Sequence, residues 1–102
     1  MAQWIEILDK KPKLGEMLET TFKGEDLFVA NVNDELFCAK NKCPHEDIKL
    51  TLGCLKNKTI RCSLHGFIFN LTNGKANEEG IDDLILYPIK ELNNKIFIKE
   101  DL

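Results

Sequence analysis

Two short pairs of sulfur and nitrogen side chains constrain this chain more than any other feature of its sequence. The first pair lies in Cys43-Pro44-His45, and the second lies in Cys62-Ser63-Leu64-His65, after an interval of sixteen residues. Each pair offers one soft thiolate and one borderline imidazole, a mixture that suits zinc or iron rather than magnesium or calcium. The spacing therefore predicts a metal centre held by Cys43, His45, Cys62 and His65.

The length and charge of the chain set the background for that centre. A chain of 102 residues, 43% hydrophobic and 30% charged, is expected to form one domain over residues 1–102. A domain of this size buries about two-thirds of its unfolded surface, so a metal centre would add to its stability. The net charge of −3, with no basic run, argues against nucleic acid as a partner.

The ends of the chain and its cysteines indicate a compartment. The first residues have no positive segment followed by an apolar one, and no apolar run approaches the roughly 18 residues that span a bilayer. We therefore expect a cytoplasmic protein with no membrane partner. Its four cysteines are then ligands or buried thiols rather than a disulfide framework. Cys38 is expected to be buried in a strand, whereas Cys54 is either buried or an exposed thiol.

Short runs of strand-forming residues, separated by turn residues, predict an all-β fold of antiparallel strands in a small barrel or sandwich. Asn33-Asp34 and Asn93-Asn94 are expected to form tight hairpin turns. Residues 41–57 interrupt the pattern and are expected to form a loop with one short turn. Strands are predicted over residues 4–8, 16–22, 27–32, 35–40, 59–62, 67–71, 84–89 and 95–98.

At residues 43–75 the sequence resembles the Rieske [2Fe–2S] proteins. The ligand pattern is joined by further matching positions after the first histidine, around the second pair and in the turn that follows, namely Asp47, Leu50, Gly53, Leu55, Gly66, Phe69 and Thr72-Asn73-Gly74-Lys75. The resemblance implies the Rieske fold, with a loop-rich cluster-binding subdomain at about residues 41–75. It also implies one [2Fe–2S] cluster per chain, with Cys43, His45, Cys62 and His65 as ligands.

The mixed ligand set has a consequence for the reduction potential. If the two cysteines share one iron and the two histidines share the other, the formal charges of two ferric irons, two sulfides and two thiolates cancel. The electron then enters a neutral centre instead of the dianion of a four-cysteine cluster. The potential rises accordingly, to roughly −150 to +300 mV, against about −400 mV for plant-type ferredoxins.

Three positions indicate the lower end of that range. High-potential members of the family have a disulfide between the two ligand loops and a serine hydroxyl after the second His-Gly. Ile48 and Leu64 stand at the disulfide positions here, and Phe67 stands in place of the serine. The chain therefore resembles the ferredoxins of ring-hydroxylating dioxygenase systems.

That resemblance implies an electron carrier rather than an enzyme. Its partners would be a flavin-dependent reductase and a terminal oxygenase, met in transient contacts, and the protein itself is expected to be a monomer. Two alternatives remain at this point. One is a subunit that stays bound in a complex, like the small subunit of nitrite reductase, and the other is a structural Cys₂His₂ zinc module.

Several other residues carry expectations of their own. Pro44, Gly53 and Gly66 are expected to shape the ligand loops, the glycines through close approach or a positive φ. Ser63 departs from the proline that the family usually has after the second cysteine. Trp4, Phe67 and Phe69 are expected in the core. The acidic residues Glu78, Glu79, Asp82 and Asp83 form a solvated face or a docking patch for a basic reductase.

Overall fold

The structure of the chain is a computed structural model that describes residues 2–45 and 47–101. Met1, Glu46 and Leu102 lie outside the described residues. Within the described part of the chain, no helix is long and apolar enough to cross a membrane.

The described chain folds into three antiparallel sheets, as expected for an all-β protein. The first sheet has the strand order β1-β10-β9, the second β2-β3-β4-β8, and the third β5-β6-β7. A single 3₁₀ turn, Leu50–Leu52, precedes β5. The strands are β1 (Ala2–Leu8), β2 (Met17–Phe22), β3 (Glu25–Val32), β4 (Glu35–Lys40), β5 (Cys54–Lys56), β6 (Thr59–Arg61), β7 (Ile68–Asn70), β8 (Leu86–Tyr87), β9 (Ile89–Leu92) and β10 (Lys95–Asp101).

Strand β3 is buried on both of its faces. Because successive side chains of a strand point to opposite sides, Leu27 and Val29 pack on one side with Ile96 and Ile98 of β10. Phe28 and its neighbours on the other face pack with residues of the third sheet, including Ile60. The second sheet is therefore the middle layer, and this explains why residues 27–32 are a continuous buried run instead of an alternating one.

The hairpin turns form where the sequence predicts them. Asn33 and Asp34 join β3 to β4 with φ values of 53° and 70°, and Asn93 and Asn94 join β9 to β10 with 52° and 66°. Asparagine and aspartate tolerate this left-handed region better than other side chains, and two successive positive φ angles match the twist of a hairpin. The buried Asn31 fixes the first turn, because its Oδ1 accepts the Asp34 N–H at 2.9 Å.

The structure corrects two strand predictions and one core prediction. Cys54–Lys56 forms a strand within the segment expected to be loop, because it pairs with β6 across the turn at Asn57. Residues 84–89 are not one strand: Leu86–Tyr87 pairs with β4, and Pro88 separates it from β9, which pairs with β10. Trp4 is 39% exposed, not in the core, and the Lys90 ammonium lies 4.5 Å from its ring centre.

Two glycines lie in close contact with the backbone of another segment of the chain. A β-carbon at Gly53 would lie 1.8 Å from the Arg61 carbonyl oxygen, although the φ of Gly53, −92°, is an ordinary one. At Gly74, φ is +79° and a β-carbon would lie 2.4 Å from the Leu84 carbonyl oxygen. Both positions therefore need glycine because another backbone segment passes too close for a side chain.

A polar network ties the start of the third sheet to the middle one. The Nδ2 of Asn41, which is buried, donates to Thr51 Oγ1 at 3.1 Å, and the Thr51 N–H donates to Asn41 Oδ1 at 3.1 Å. The Thr51 hydroxyl in turn donates to Glu19 Oε2 on β2 at 2.5 Å, and Lys49 Nζ lies 3.3 Å from Glu19 Oε1. The segment after the first ligand pair is thus anchored to β2 by one carboxylate.

These contacts lower the pKa of Glu19 below its usual value, through the Thr51 hydrogen bond first and then through the hydrogen bond from Lys49. A carboxyl group whose pKa is lowered on folding stabilises the native state above its unfolded pKa, near 4.3, and loses that contribution as pH falls through its folded pKa. We therefore expect Glu19→Gln to melt at a lower temperature than the native chain at pH 7, with a gap that narrows as the pH falls.

Thermal unfolding followed by far-ultraviolet circular dichroism from pH 7 to pH 3 measures this gap. Glu78→Gln removes a carboxylate from an exposed loop position and is the matched control. A gap for Glu19→Gln that keeps the same size at all pH values would show that the Glu19 charge does not anchor the segment.

Candidate metal centre

The two candidate ligand pairs lie in two loops that close in the same way. In the first loop, the N–H of Cys43 donates to the carbonyl oxygen of Ile48 at 2.9 Å. In the second loop, the N–H of Cys62 donates to the carbonyl oxygen of Phe67 at 2.8 Å. Each cysteine therefore begins a loop that returns to its own backbone five residues later, with the histidine of the pair inside the turn.

The two cysteines and the two histidines differ in their exposure. Cys43 and Cys62 are each 1% exposed and belong to the cluster of buried residues that includes Phe28, Leu50 and Ile60. His45 and His65 are exposed. The thiol side of the site thus faces the layer between the middle and third sheets, and the imidazole side faces solvent.

The two imidazoles lie close enough to share one metal ion. Their ring centres are 5.3 Å apart, with planes inclined at 81°. A metal–nitrogen bond of about 2.1 Å, with about 1.1 Å from nitrogen to ring centre, places two imidazoles on one tetrahedral ion about 5.2 Å apart. The observed separation matches this requirement, so the histidine pair fits one metal ion of a mixed-ligand centre.

Within residues 2–45 and 47–101, no three His, Cys, Asp or Glu side chains are grouped around a single point that could hold one metal ion. A [2Fe–2S] cluster takes only two protein ligands at each iron. The pairing of histidines on one side and buried cysteines on the other is the pattern that such a cluster uses.

Phe67 covers the histidine pair from one side. Its ring centre lies 4.7 Å from that of His45 and 6.1 Å from that of His65, in both cases edge to face. The side chain is half-buried and packs against the core cluster of Phe69, which is fully buried. Phe69 lies in the core, as expected. Phe67 is instead a half-buried residue at the edge of the core, where its ring restricts how the two imidazoles can turn.

Gly66, directly after His65, shapes the second loop. Its φ is +72°, the left-handed region that favours glycine. A β-carbon there would lie 3.0 Å from Nη2 and 3.2 Å from Nε of Arg61, so the guanidinium group lies against this glycine. In the first loop, an ion pair of 3.6 Å between Lys42 and Asp47 joins the two sides of the turn.

The remaining cysteines lie apart from these roles. Cys38 is buried between the first and second sheets, as expected, and burial raises the pKa of its thiol to about 12. Cys54 lies on β5 opposite Arg61. Of the two states predicted for it, buried or exposed, the exposed thiol is the one observed.

The acidic loop after β7 reaches the first ligand loop. Asp82 and Asp83 line a cavity of about 240 Å³ together with Cys43 and Pro44. Lys40 and Lys42 line the same cavity, but these lysines lie 3.8 Å from Glu25 and 3.6 Å from Asp47. Among the described residues, no basic side chain pairs with Asp82 or Asp83. Glu78 and Glu79 belong to the same loop but do not line this cavity.

Sequence patterns did not reveal the residues that support the site from outside the motif. Asn41 and Thr51 read as ordinary loop residues, and only the folded chain shows that they bond each other and Glu19. Arg61 stands next to a ligand in the sequence, but nothing in the spacing shows where its guanidinium group lies.

Comparison with known proteins agrees with this geometry. Residues 3–85 match the family model of the Rieske [2Fe-2S] domain. The ferredoxin component of a naphthalene 1,2-dioxygenase system from Pseudomonas putida is 31% identical over 99 residues, which are 95% of each chain.

Solved structures show the same fold. A ferredoxin of Sphingomonas yanoikuyae B1 superimposes with a TM-score of 0.86 at 25% identity, covering 97% of this chain and 100% of that one. The ferredoxin in a complex with the oxygenase of carbazole 1,9a-dioxygenase gives a TM-score of 0.80 at 22% identity, covering 93% and 91%. The chain therefore belongs to the Rieske [2Fe–2S] family, in which it is a ferredoxin-type electron carrier with one cluster.

Proposed function

We propose that Cys43, His45, Cys62 and His65 hold the [2Fe–2S] cluster, and that the chain carries single electrons from a flavin-dependent reductase to a terminal oxygenase. The observation that carries this proposal is the opposite exposure of the two ligand types, with both thiols 1% exposed and both imidazoles at the surface 5.3 Å apart. The cluster would supply one-electron redox chemistry, and the protein supplies its position.

The histidine edge is the side from which electrons would enter and leave. The buried cysteines would be insulated by the core around Leu50 and Ile60, although Cys43 also lines the cavity beside Asp82 and Asp83. His45 and His65 are open to a docking partner, and Leu64, between the second pair of ligands, is 56% exposed beside them. Electron transfer would then take place through a small, short-lived contact, as is usual for redox partners.

The terminal partner is argued from a relative. A structure of similar fold contains the ferredoxin bound to the oxygenase of carbazole 1,9a-dioxygenase. The present chain has the same fold, so we propose that an oxygenase also binds this chain, on the side where His45 and His65 are exposed. The substrate of the oxygenase leaves no trace here, because the ferredoxin does not touch it.

The carrier function predicts that the isolated holoprotein is a monomer that takes up one electron per chain from dithionite and gives it back to a mild oxidant. Anaerobic titration followed by visible absorbance, with gel filtration of the same sample, measures both properties. Purification only as a stable complex with a larger subunit would contradict the shuttle and favour a fixed subunit of a larger reductase.

The ligand assignment predicts the behaviour of His65→Cys. A thiolate in place of a neutral imidazole adds one negative charge to the cluster, so the potential should fall, by on the order of 100 mV, while a cluster is retained. Redox titration of the purified variant measures the change. Leu64→Met, which alters the exposed neighbour without altering charge, is the control and should keep the native potential. An unchanged potential in His65→Cys would remove His65 from the ligand set.

We infer where the reductase binds from the negative charge of the loop that contains Asp82 and Asp83. Asp82 and Asp83 lie beside the first ligand loop, and neither forms an ion pair with a basic side chain of the described residues. Lys40 and Lys42 line the same cavity but pair with Glu25 and Asp47. A basic surface on a reductase would be attracted to them, an effect that acts mainly on the rate of association. The monomeric state and this partner are part of the same proposal, because a free carrier must recognise both of its partners in turn.

Replacing both residues in Asp82→Asn/Asp83→Asn should slow reduction by a flavin-dependent reductase of a naphthalene dioxygenase system several-fold at low salt, with the difference disappearing at high salt. Stopped-flow reduction with NADH measures this rate. Glu78→Gln/Glu79→Gln removes the same charge from the same loop away from the ligand loop and is the matched control. Equal rates for the two double variants would show that the Asp82-Asp83 position has no special part in docking.

A further inference from the structure

We propose that the positive charge of Arg61, beside the second ligand loop, raises the reduction potential of the cluster. The inference rests on the proposed function, in which His65 is a ligand. Arg61 is not one of the proposed ligands. It lies in the stretch Ile60–Gly66 that resembles the family's second loop, but the resemblance gives it no role, so its role is inferred from its contacts.

The backbone of Arg61 is fixed on both sides. It lies on β6, the middle strand of the third sheet, where it pairs with Cys54 on β5 and with Ile68 on β7. Its carbonyl oxygen occupies the space that a side chain at Gly53 would need. The backbone and β-carbon of Arg61 therefore have little freedom to move. Arg61 directly precedes the proposed ligand Cys62 in the sequence.

The guanidinium group lies over the second ligand loop. Its Nη2, Nε and Cζ atoms are 3.0, 3.2 and 3.5 Å from the position of a β-carbon on Gly66. Gly66 follows His65, and consecutive α-carbons are about 3.8 Å apart. The charge of Arg61 is therefore held within about 9 Å of the His65 α-carbon, which is comparable to the Debye length of about 8 Å at physiological ionic strength.

This charge is not neutralised by a neighbour in the described part of the chain. The lysines around the ligand loops lie against carboxylates, Lys42 against Asp47 and Lys49 against Glu19. Arg61 forms no such pair with any residue in 2–45 or 47–101.

The physical consequence follows from the charge change on reduction. One electron enters the cluster from the reductant, no bond is made or broken, and the centre becomes more negative by one unit. For a separation on the order of 9 Å between the guanidinium and the added electron, the cation favours the reduced state. With the high effective dielectric constant of an exposed site, it favours reduction on the order of fivefold. For one electron, fivefold corresponds to about 40 mV.

The test compares Arg61→Gln and Arg61→Lys with the native holoprotein. Arg61→Gln should lower the potential by about 40 mV, Arg61→Lys should stay close to the native value, and the difference between Gln and native should shrink as salt is added. Lys56→Gln is the matched control, because it removes one positive charge from the same sheet but at its far end, opposite Thr59. It should change the potential less than Arg61→Gln.

The readout is a redox titration monitored by visible absorbance, with iron and sulfide content and the visible circular dichroism spectrum measured on each sample. Full iron content with the native spectrum shows that a potential shift is not caused by a damaged site. Where Arg61→Gln does not retain a cluster, Arg61→Met serves as the second neutral variant. Three results would each overturn the proposal. The first is an unchanged potential in a neutral Arg61 variant that retains its cluster, and the second is a shift equal to that of Lys56→Gln. The third is loss of the cluster in all three Arg61 variants. Absence of iron from the native protein would instead overturn the proposed function itself.

Discussion

The proposed centre depends on keeping the thiols of Cys43 and Cys62 buried and the imidazoles of His45 and His65 exposed, with all four within reach of one small cluster. Two loops of matching design meet this constraint. Cys43 and Cys62 each lie at the inner end of a loop and donate a backbone hydrogen bond to the carbonyl oxygen five residues later. Burial of the sulfurs in the core and exposure of the rings at the surface then give the centre a protected side and an accessible side. An electron carrier needs both, because it must shield its cluster from water and still present it to partners.

The layered fold provides the inner side. Strand β3 packs against the first sheet with one face and against the third sheet with the other, so the ligand-bearing sheet rests on a layer that is already fully buried. Gly53 and Gly74 let backbone segments pass close together around the ligand loops, and the Asn41–Thr51–Glu19 network ties the 3₁₀ turn to β2. The site is therefore supported by the base of the molecule and not only by its own loops. A bound redox group requires such support, because its ligands must be held in a precise geometry.

Some parts of the fold and of the proposed site can be predicted from the sequence, and others cannot. Ligand spacing is a local property, so the sequence alone indicates Cys43, His45, Cys62 and His65 as the proposed ligands. The hairpin residues Asn33-Asp34 form the turn that they predict. The short strand Cys54–Lys56 was missed because its stability comes from pairing with β6, not from its composition. Trp4 is expected in the core because aromatic residues are more often core residues than electron-transfer relays, yet it is 39% exposed and lies under Lys90. Contacts between distant positions, such as Thr51 with Glu19 or Arg61 with Gly66, have no signature in a single sequence, so only the fold could reveal them.

The most direct measurement of the central claim is a combined analysis of freshly prepared, anaerobically reconstituted protein. The account predicts two irons and two acid-labile sulfides per chain, and a reduced state whose pulsed paramagnetic resonance spectrum shows two nitrogen nuclei bound directly to the iron. Protein without iron and sulfide, or a cluster spectrum without bound nitrogen, would contradict the assignment of paired cysteine and histidine loops to a two-iron centre.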